Sequence, residues 1–487
     1  MHGKKLIFLM ALGLCCFASA GLAKPNVVLI YIDDYGWRDV GFNGTKFYET
    51  PNADRIAREG MNFRSAYANA PNCAPSRACL MSGLYSPRHG VYTVANSDRG
   101  KAALRKIIPT KNTTVLADEF VTLAEALKAG GYKTATMGKW HLGDDPTTQG
   151  FDINIAGREW GSPSGGGYHS PYKYPNLVNR KKGEYLTDRL GTEAAQFMEA
   201  NKERPFFLYL THYAVHTPIQ AKPELTAKYE QKTPTDKQTN AKYAAMIESM
   251  DDSVGTVLDT LDRLKLADNT IVIFYADNGG HGGVTSNVPL RGSKGMLYEG
   301  GIRVPMAVRW PCVVKPGTTS DEPVIGIDLY PTLLEATQTK LQAKVNLDGT
   351  SLLPLLSDAG ASLFRPAIYW HFPAYLQGYT KRHGPFRTTP AGAIRMGDWK
   401  LIEYFEDGVL ELYNLSDDIG EEQNLAKREA RRTAEMHSMM KAWRRATNAP
   451  VPTEMNPEFD PAAYKAAFNR CLLYTSDAAD EEDSVDL

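Results

Sequence analysis

Cysteine is scarce: six in 487 residues cannot make a disulfide scaffold. Neither sign of charge prevails. The 55 Lys and Arg stand against 56 Asp and Glu, a formal net charge of -1, which gives no reason to expect nucleic acid or an acidic membrane as partner. No apolar stretch approaches the roughly 20 residues that a transmembrane helix needs, so stable membrane insertion is not expected. Internal repeats and low-complexity tracts are also missing between the two ends, which argues against solenoids, collagens and coiled coils. What is there is 43% hydrophobic and 10% aromatic, the make-up of a globular protein with ample core. The length suits two or three domains, or one large α/β domain with an appendage.

Both ends stand apart from the rest. Lys4 and Lys5 precede an apolar run from Leu6 to Phe17, and small residues follow at Ala18, Ser19 and Ala20. That is the layout of a signal peptide over residues 1–23, so the mature chain is expected to start near Ala20 to Lys24 and to be periplasmic or extracellular. Cys15 and Cys16 raise a lipid anchor as the alternative, but Leu14 stands where a lipobox wants Gly or Ala. The string from Cys471 to Leu487 carries six acidic residues and no helical or strand period. It is similar to the in-frame translation of a transposase sequencing adaptor, which implies an artefact over 471–487 and a native terminus lost beyond about Arg470. A natural acidic tail is the rival. Without the two leader lysines and these six acids, the formal charge moves from -1 to +3, a lean towards anionic substrates. Cys79 and Cys312 then remain as either a disulfide or two buried thiols.

Between the ends, short apolar runs alternate with amphipathic stretches, the pattern of an α/β protein with a large, mostly parallel sheet flanked by helices. Four of the runs end in polar residues. Asn26 to Ile32 stops at Asp33-Asp34, and Tyr132 to Met137 at Gly138-Lys139-Trp140-His141. Pro205 to Thr211 stops at His212 and His216, and Thr270 to Ala276 at Asp277-Asn278. Helices are expected between them, over Thr122 to Ala129, Thr187 to Lys202 and Lys242 to Leu266. Taken singly, an Asp or Asn after a strand is a turn residue or a helix cap, and a lone His is structural. Four such endings delivered to the carboxyl edge of one sheet, where open α/β folds bind ligands, point to a site. Asp33, Asp34, Asp277 and Asn278 offer only oxygen, which suits one hard cation, Ca2+ before Mg2+, and not zinc.

In Cys73-Ala-Pro75-Ser76-Arg77, the proline suits a first helical turn, with the helix running to Met81 before Gly83. A cysteine there sits among unpaired N–H groups that favour anions, although a buried, inert thiol is the commoner fate. This segment, with Met81-Ser82-Gly83 after it, resembles the signature of the type I sulfatases of the alkaline phosphatase superfamily; Ser82 stands where Thr is more usual. The resemblance extends over nearly the whole mature chain. It includes Asp33-Asp34-x-Gly36-x-x-Asp39, Gly138-Lys139-Trp140-His141, His216-Thr-Pro218, and Asp277-Asn278-Gly-Gly. It continues through Arg291-Gly-Ser-Lys294 to Glu299 and Arg303, Arg395 to Lys400, and Glu411 to Tyr413.

The resemblance implies an alkaline phosphatase-like fold and a sulfuric ester hydrolase. A maturation enzyme would convert Cys73 to Cα-formylglycine, whose gem-diol attacks sulfur. One Ca2+ would be held by Asp33, Asp34, residue 73, Asp277 and Asn278. Arg77, Lys139 and Lys294 would supply positive charge to the sulfuryl group. His216, alone or with Lys294, would protonate the departing alcohol, and His141 would assist the expulsion of sulfate. Substrates would be aryl sulfates or, for an exported enzyme, sulfated carbohydrates.

Pocket candidates are Trp160, Tyr168 and His169 in a Gly- and aromatic-rich loop, then His281 and Arg291, with Tyr172, His371, His383 and Arg387 as further candidates. The loop aromatics suit sugar rings and equally suit plain packing. The catalytic domain is expected over 24–365. A smaller antiparallel-sheet subdomain is expected over 366–470, with strands at 367–371, 393–396, 399–404 and 409–413 and a helix from Lys427 to Arg445 with a solvated basic face. Alternatives are a formylglycine-dependent phosphonate monoester or phosphodiester hydrolase, a phosphatase with Ser or Thr and two zinc ions, and a catalytically silent sulfoglycan-binding homologue.

Overall fold

The computed structural model describes residues 24–341 and 345–477, with side chains through Arg470. The expected leader and residues 478–487 lie outside the described residues. Asn26–Ile32 is buried at every position. A strand covered on both faces must be, which is why it reads as an unbroken apolar run. It belongs to an eight-stranded sheet of spatial order Ile153–Ile155, Lys133–Gly138, Phe206–Thr211, Asn26–Ile32, Thr270–Ala276, Met306–Arg309, Met61–Phe63 and Thr318–Ser320. Pairing is parallel except at Met306–Arg309, which runs against both neighbours.

Register aligns the strand ends that matter. Gly138 pairs with Thr211, Tyr31 with Thr211, and Ile32 with Ala276. Asp33, Lys139, His212 and Asp277 therefore leave the sheet along one edge. Helices Leu186–Ala200 and Ala241–Arg263 lie side by side, so close at Gly191 that a Cβ there would stand 2.5 Å from Ser253 Oγ. Leu123–Ala129 opens with a capping box: Thr122 Oγ1 accepts from Glu125 N at 3.1 Å, and Glu125 Oε2 from Thr122 N at 2.7 Å.

Beyond residue 366 the expected small antiparallel sheet is present, built from Ile368–Phe372, Ala391–Met396, Trp399–Tyr404 and Leu410–Asn414 in that spatial order. Helix Ala430–Thr447 packs Met436 and Met440 on Ile394, Leu401 and Leu412. Two elements add to the expected set. One is the hairpin Leu376–Thr380 with Gly384–Thr388, and the other is helix Pro461–Asp477, whose backbone continues into the string read as an adaptor.

The seam between the sheets explains several motif residues. Lys400, wholly buried, reaches Glu299 at 2.9 Å and Glu421 at 2.8 Å, while Arg303 meets Glu299 at 3.2 Å and Tyr67 donates to it at 2.6 Å. Burial alone would raise the Glu299 carboxyl, but Lys400, Arg303 and Arg395 outweigh it and hold it below its ordinary value. Cys79 is buried and Cys312 exposed, and both are unpaired, so they form neither the disulfide nor the pair of buried thiols expected. Among the described residues, no helix is long and apolar enough to cross a membrane.

Candidate active site

Asp33 and Asp34 end the central strand, and Asp34 takes the left-handed backbone at φ +56°, a conformation Asp adopts more readily than most residues. The turn brings both carboxylates inside: Asp33 and Asp34 are 0% and 1% exposed. Asp34 N donates to Asp277 Oδ1 at 3.2 Å, and Asn278 Nδ2 to Asp34 Oδ1 at 2.9 Å, so the two strand-end pairs interlock.

Helix Cys73–Ser82 begins at its cysteine and stops at Gly83, which has φ +69°. Asn72, its N-cap, makes no side-chain capping bond, which leaves the first-turn N–H groups without that partner. Ligand atoms of Asp33, Asp34 and Cys73 all lie within 4.8 Å of one another. Burial raises the Cys73 thiol, with Lys139 and Lys294 pulling the other way.

The cations are already committed to carboxylates. Lys139 Nζ donates to Asp33 Oδ2 at 2.6 Å, with both side chains fully buried. Arg77, one turn along the helix from Cys73, donates to Asp277 Oδ2 from Nε at 2.9 Å and Nη2 at 2.8 Å, and from Nη1 to the Lys139 carbonyl at 3.0 Å and to Thr211. Four of its five N–H groups are thus spent on the scaffold. The guanidinium expected to supply charge to the sulfuryl group is here fully buried and bonded to Asp277.

Burial pushes Asp33 up, and Lys139 offsets this only in part. Asp34 is driven the other way, because Lys294, His216 and Lys139 overcome its burial. Asp33 Oδ1 and Asn278 Oδ1 are buried without a hydrogen-bond partner among the described residues. Orphaned oxygens of this kind are costly unless a cation takes them. The donor set therefore fits a metal ion.

His216 Nδ1 donates to the Thr217 carbonyl at 2.7 Å, which leaves Nε2 to accept from Lys294 Nζ at 3.1 Å. Lys294 also donates to Asp34 Oδ2 at 2.8 Å. Burial, then Lys294, pushes His216 down to about 3, so the imidazole is neutral. His141, at φ +66° with its N–H bonded to the Arg158 carbonyl at 2.8 Å, is likewise held neutral by burial and by Lys139. His212 does not join them, because it is buried against Ser253 Oγ at 3.1 Å.

The pocket candidates divide. Tyr168 is fully buried; its hydroxyl donates to the carbonyls of Tyr213 at 2.7 Å and His216 at 2.8 Å. It braces the His216 loop and offers no face to a sugar. Arg291 lies over Tyr298 at 4.0 Å and donates to Tyr413 Oη at 3.1 Å and the Glu421 carbonyl at 2.8 Å, so the seam claims its guanidinium although it borders a cleft. His371 is buried and donates to the Pro450 carbonyl at 2.8 Å. Trp160 is half-buried beneath Arg158, His169 is half-buried against Tyr185, and Tyr172 is buried. His281 is buried near enough to Asp34 to help lower it. His383 and Arg387 line the cleft. Asp39, in the first motif, accepts from Gly36 N, Tyr243 and Thr285 and so shapes the Asp34 turn.

A family profile described as "Sulfatase" matches residues 25–339, and one described as "N-sulphoglucosamine sulphohydrolase, C-terminal" matches 293–446. The chain belongs to the sulfatase family. A "Sulfatase" of Formosa agariphila is 35% identical, over 88% of this chain and 90% of its own. The N-acetylgalactosamine-6-sulfatase of Mus musculus is 34% identical, over 75% of this chain and 72% of its own. Among solved structures, Ps i-CgsB in complex with k-i-k-neocarrahexaose superposes with a TM-score of 0.72 at 30% identity, over 93% of this chain and 99% of that one. This sulfatase is thus a sulfuric ester hydrolase with the alkaline phosphatase-like fold. Its buried Asp33, Asp34 and Cys73 form a cluster that could hold a metal ion.

Proposed function

We propose that this sulfatase is an exported enzyme that removes sulfate esters from carbohydrates. It would use Cα-formylglycine made from Cys73 and one Ca2+ held by Asp33, Asp34, Asp277, Asn278 and residue 73. The observation that carries this reading is the pocket, where a helix-initiating cysteine meets two aspartates beside two buried oxygens that lack partners. Oxygen-only ligands in crowded, irregular geometry favour Ca2+ over Zn2+ and Mg2+. Bound there, the cation supplies a Lewis acid and the hydrated aldehyde supplies the attacking hydroxyl.

The chain's own side chains do the rest. Lys139 and Lys294 place fixed positive charge at the pocket, where it needs no reorganisation as the sulfuryl group gains negative charge. The proton for the departing alcohol is held between Lys294 Nζ and His216 Nε2, with Thr217 fixing the imidazole tautomer. On this reading the proton that leaves with the alcohol comes from Lys294, and His216, expected as the acid alone or with Lys294, would position it through Nε2. Neutral His141 is in the right state to accept a proton when sulfate is expelled.

Carbohydrate as the substrate class is supported by the relatives, one named for N-acetylgalactosamine and one solved with k-i-k-neocarrahexaose. The intact Cys73-x-Pro75-Ser76-Arg77 segment supports a formylglycine-generating enzyme as maturation partner. The test is a panel of sulfated mono- and oligosaccharides, 4-methylumbelliferyl sulfate and phosphodiesters, assayed with protein co-expressed with such an enzyme. Sulfate release should exceed phosphodiester cleavage, and Cys73→Ala should abolish it while the melting temperature is kept. Faster phosphodiester cleavage would favour the phosphonate hydrolase reading.

A further inference from the structure

A cleft of about 820 Å3 opens beside the active site, bordered by Arg291–Ser293 just before Lys294, by the loop through Val284–Val288, and by the hairpin Leu376–Thr380 with Gly384–Thr388. Its lining is one-sided in charge. Lys237, Arg291, Lys381, Arg382 and Arg387 border it, and among the described residues no Asp or Glu does. Arg382 is partly neutralised by Glu411 at 3.1 Å and Asp407 at 3.4 Å, and Arg291 is turned to the seam. Lys381 and Lys237 are exposed at the rim. Arg387 reaches the Lys294 carbonyl at 3.5 Å, which ties this wall directly to the catalytic segment. Tyr379, at 55% exposure, stands on the same hairpin. An aromatic face left that open beside cations matches a ring bearing an anion, because a concave, single-sign surface focuses its field on such a ligand.

We propose that this cleft is a second anion subsite, which takes a further sulfated or carboxylated sugar of the same glycan chain while the scissile sulfate sits at Cys73. The inference rests on the sulfatase reading and deepens it: the enzyme is built for a polyanionic oligosaccharide, with Tyr379 under a ring and Lys381 and Arg387 at its anion.

The test compares three substrates: 4-methylumbelliferyl sulfate, the singly sulfated oligosaccharide that is cleaved in the panel, and the same oligosaccharide carrying one more sulfate on the next residue. Wild-type kcat/KM should be about tenfold or more higher for the doubly sulfated form. In Lys381→Ala and in Tyr379→Ala, KM for that form should rise by roughly tenfold with kcat kept, and turnover of the small aryl sulfate should not change. Equal kcat/KM for the singly and doubly sulfated forms, or variants neutral on the doubly sulfated one, would overturn the subsite while leaving the sulfatase reading intact. Absence of sulfate release from all three substrates by matured wild type would sink both.

Discussion

Tyr168 marks where residue-scale reasoning from sequence runs out. A tyrosine in a Gly-rich loop has a face for a sugar and a hydroxyl for the backbone, and only the fold decides which is used. Here the ring is buried and the hydroxyl ties the carbonyls of Tyr213 and His216. Tyr168→Phe should therefore lower kcat, by about tenfold, with little change in KM, and cost about 1–2 kcal/mol of stability in urea titration, the scale of a buried carbonyl left unpaired. A change confined to KM would return Tyr168 to the substrate. Arg77 teaches the same lesson in reverse. Its position one turn after Cys73 was legible, but its bonds to Asp277 depend on a strand 200 residues away.

At the scale of elements, the four strands that end in the site were legible because each is buried on both faces. Such strands announce themselves as apolar runs that break at the functional residues. The hairpin Leu376–Thr380 with Gly384–Thr388 was not, because its residues alternate between buried and exposed and carry Gly, Gln and Thr. That hairpin forms a wall of the cleft. The helix Leu123–Ala129 was legible as a segment closed by Gly130-Gly131. Thr122→Ala should cost about 1 kcal/mol in denaturant titration and leave kcat unchanged, since no candidate site residue lies on that helix. A fall in kcat would show that the helix helps to set the strand end at Lys139.

For the whole molecule, the seam decides whether the two sheets act as one body. Lys400 is the buried counter-charge to Glu299 and Glu421, and its removal takes that cation from both carboxyls while Glu299 keeps Arg303. Lys400→Met should destabilise by roughly 3–5 kcal/mol, read as a lower melting temperature, and should lower activity because Arg291 and the cleft are anchored across the same seam. Unchanged stability would mean that the apolar contacts around Trp370 and Tyr67 suffice. The central claim, that residue 73 reacts as an aldehyde, is tested most directly by one titration. Preparations matured to different extents are compared, the aldehyde fraction being read by mass spectrometry of the tryptic peptide Ser65 to Arg77 and the rate of sulfate release being measured on each. The account predicts a rate proportional to that fraction and extrapolating to zero for pure thiol. Full activity in protein carrying only the Cys73 thiol would contradict it.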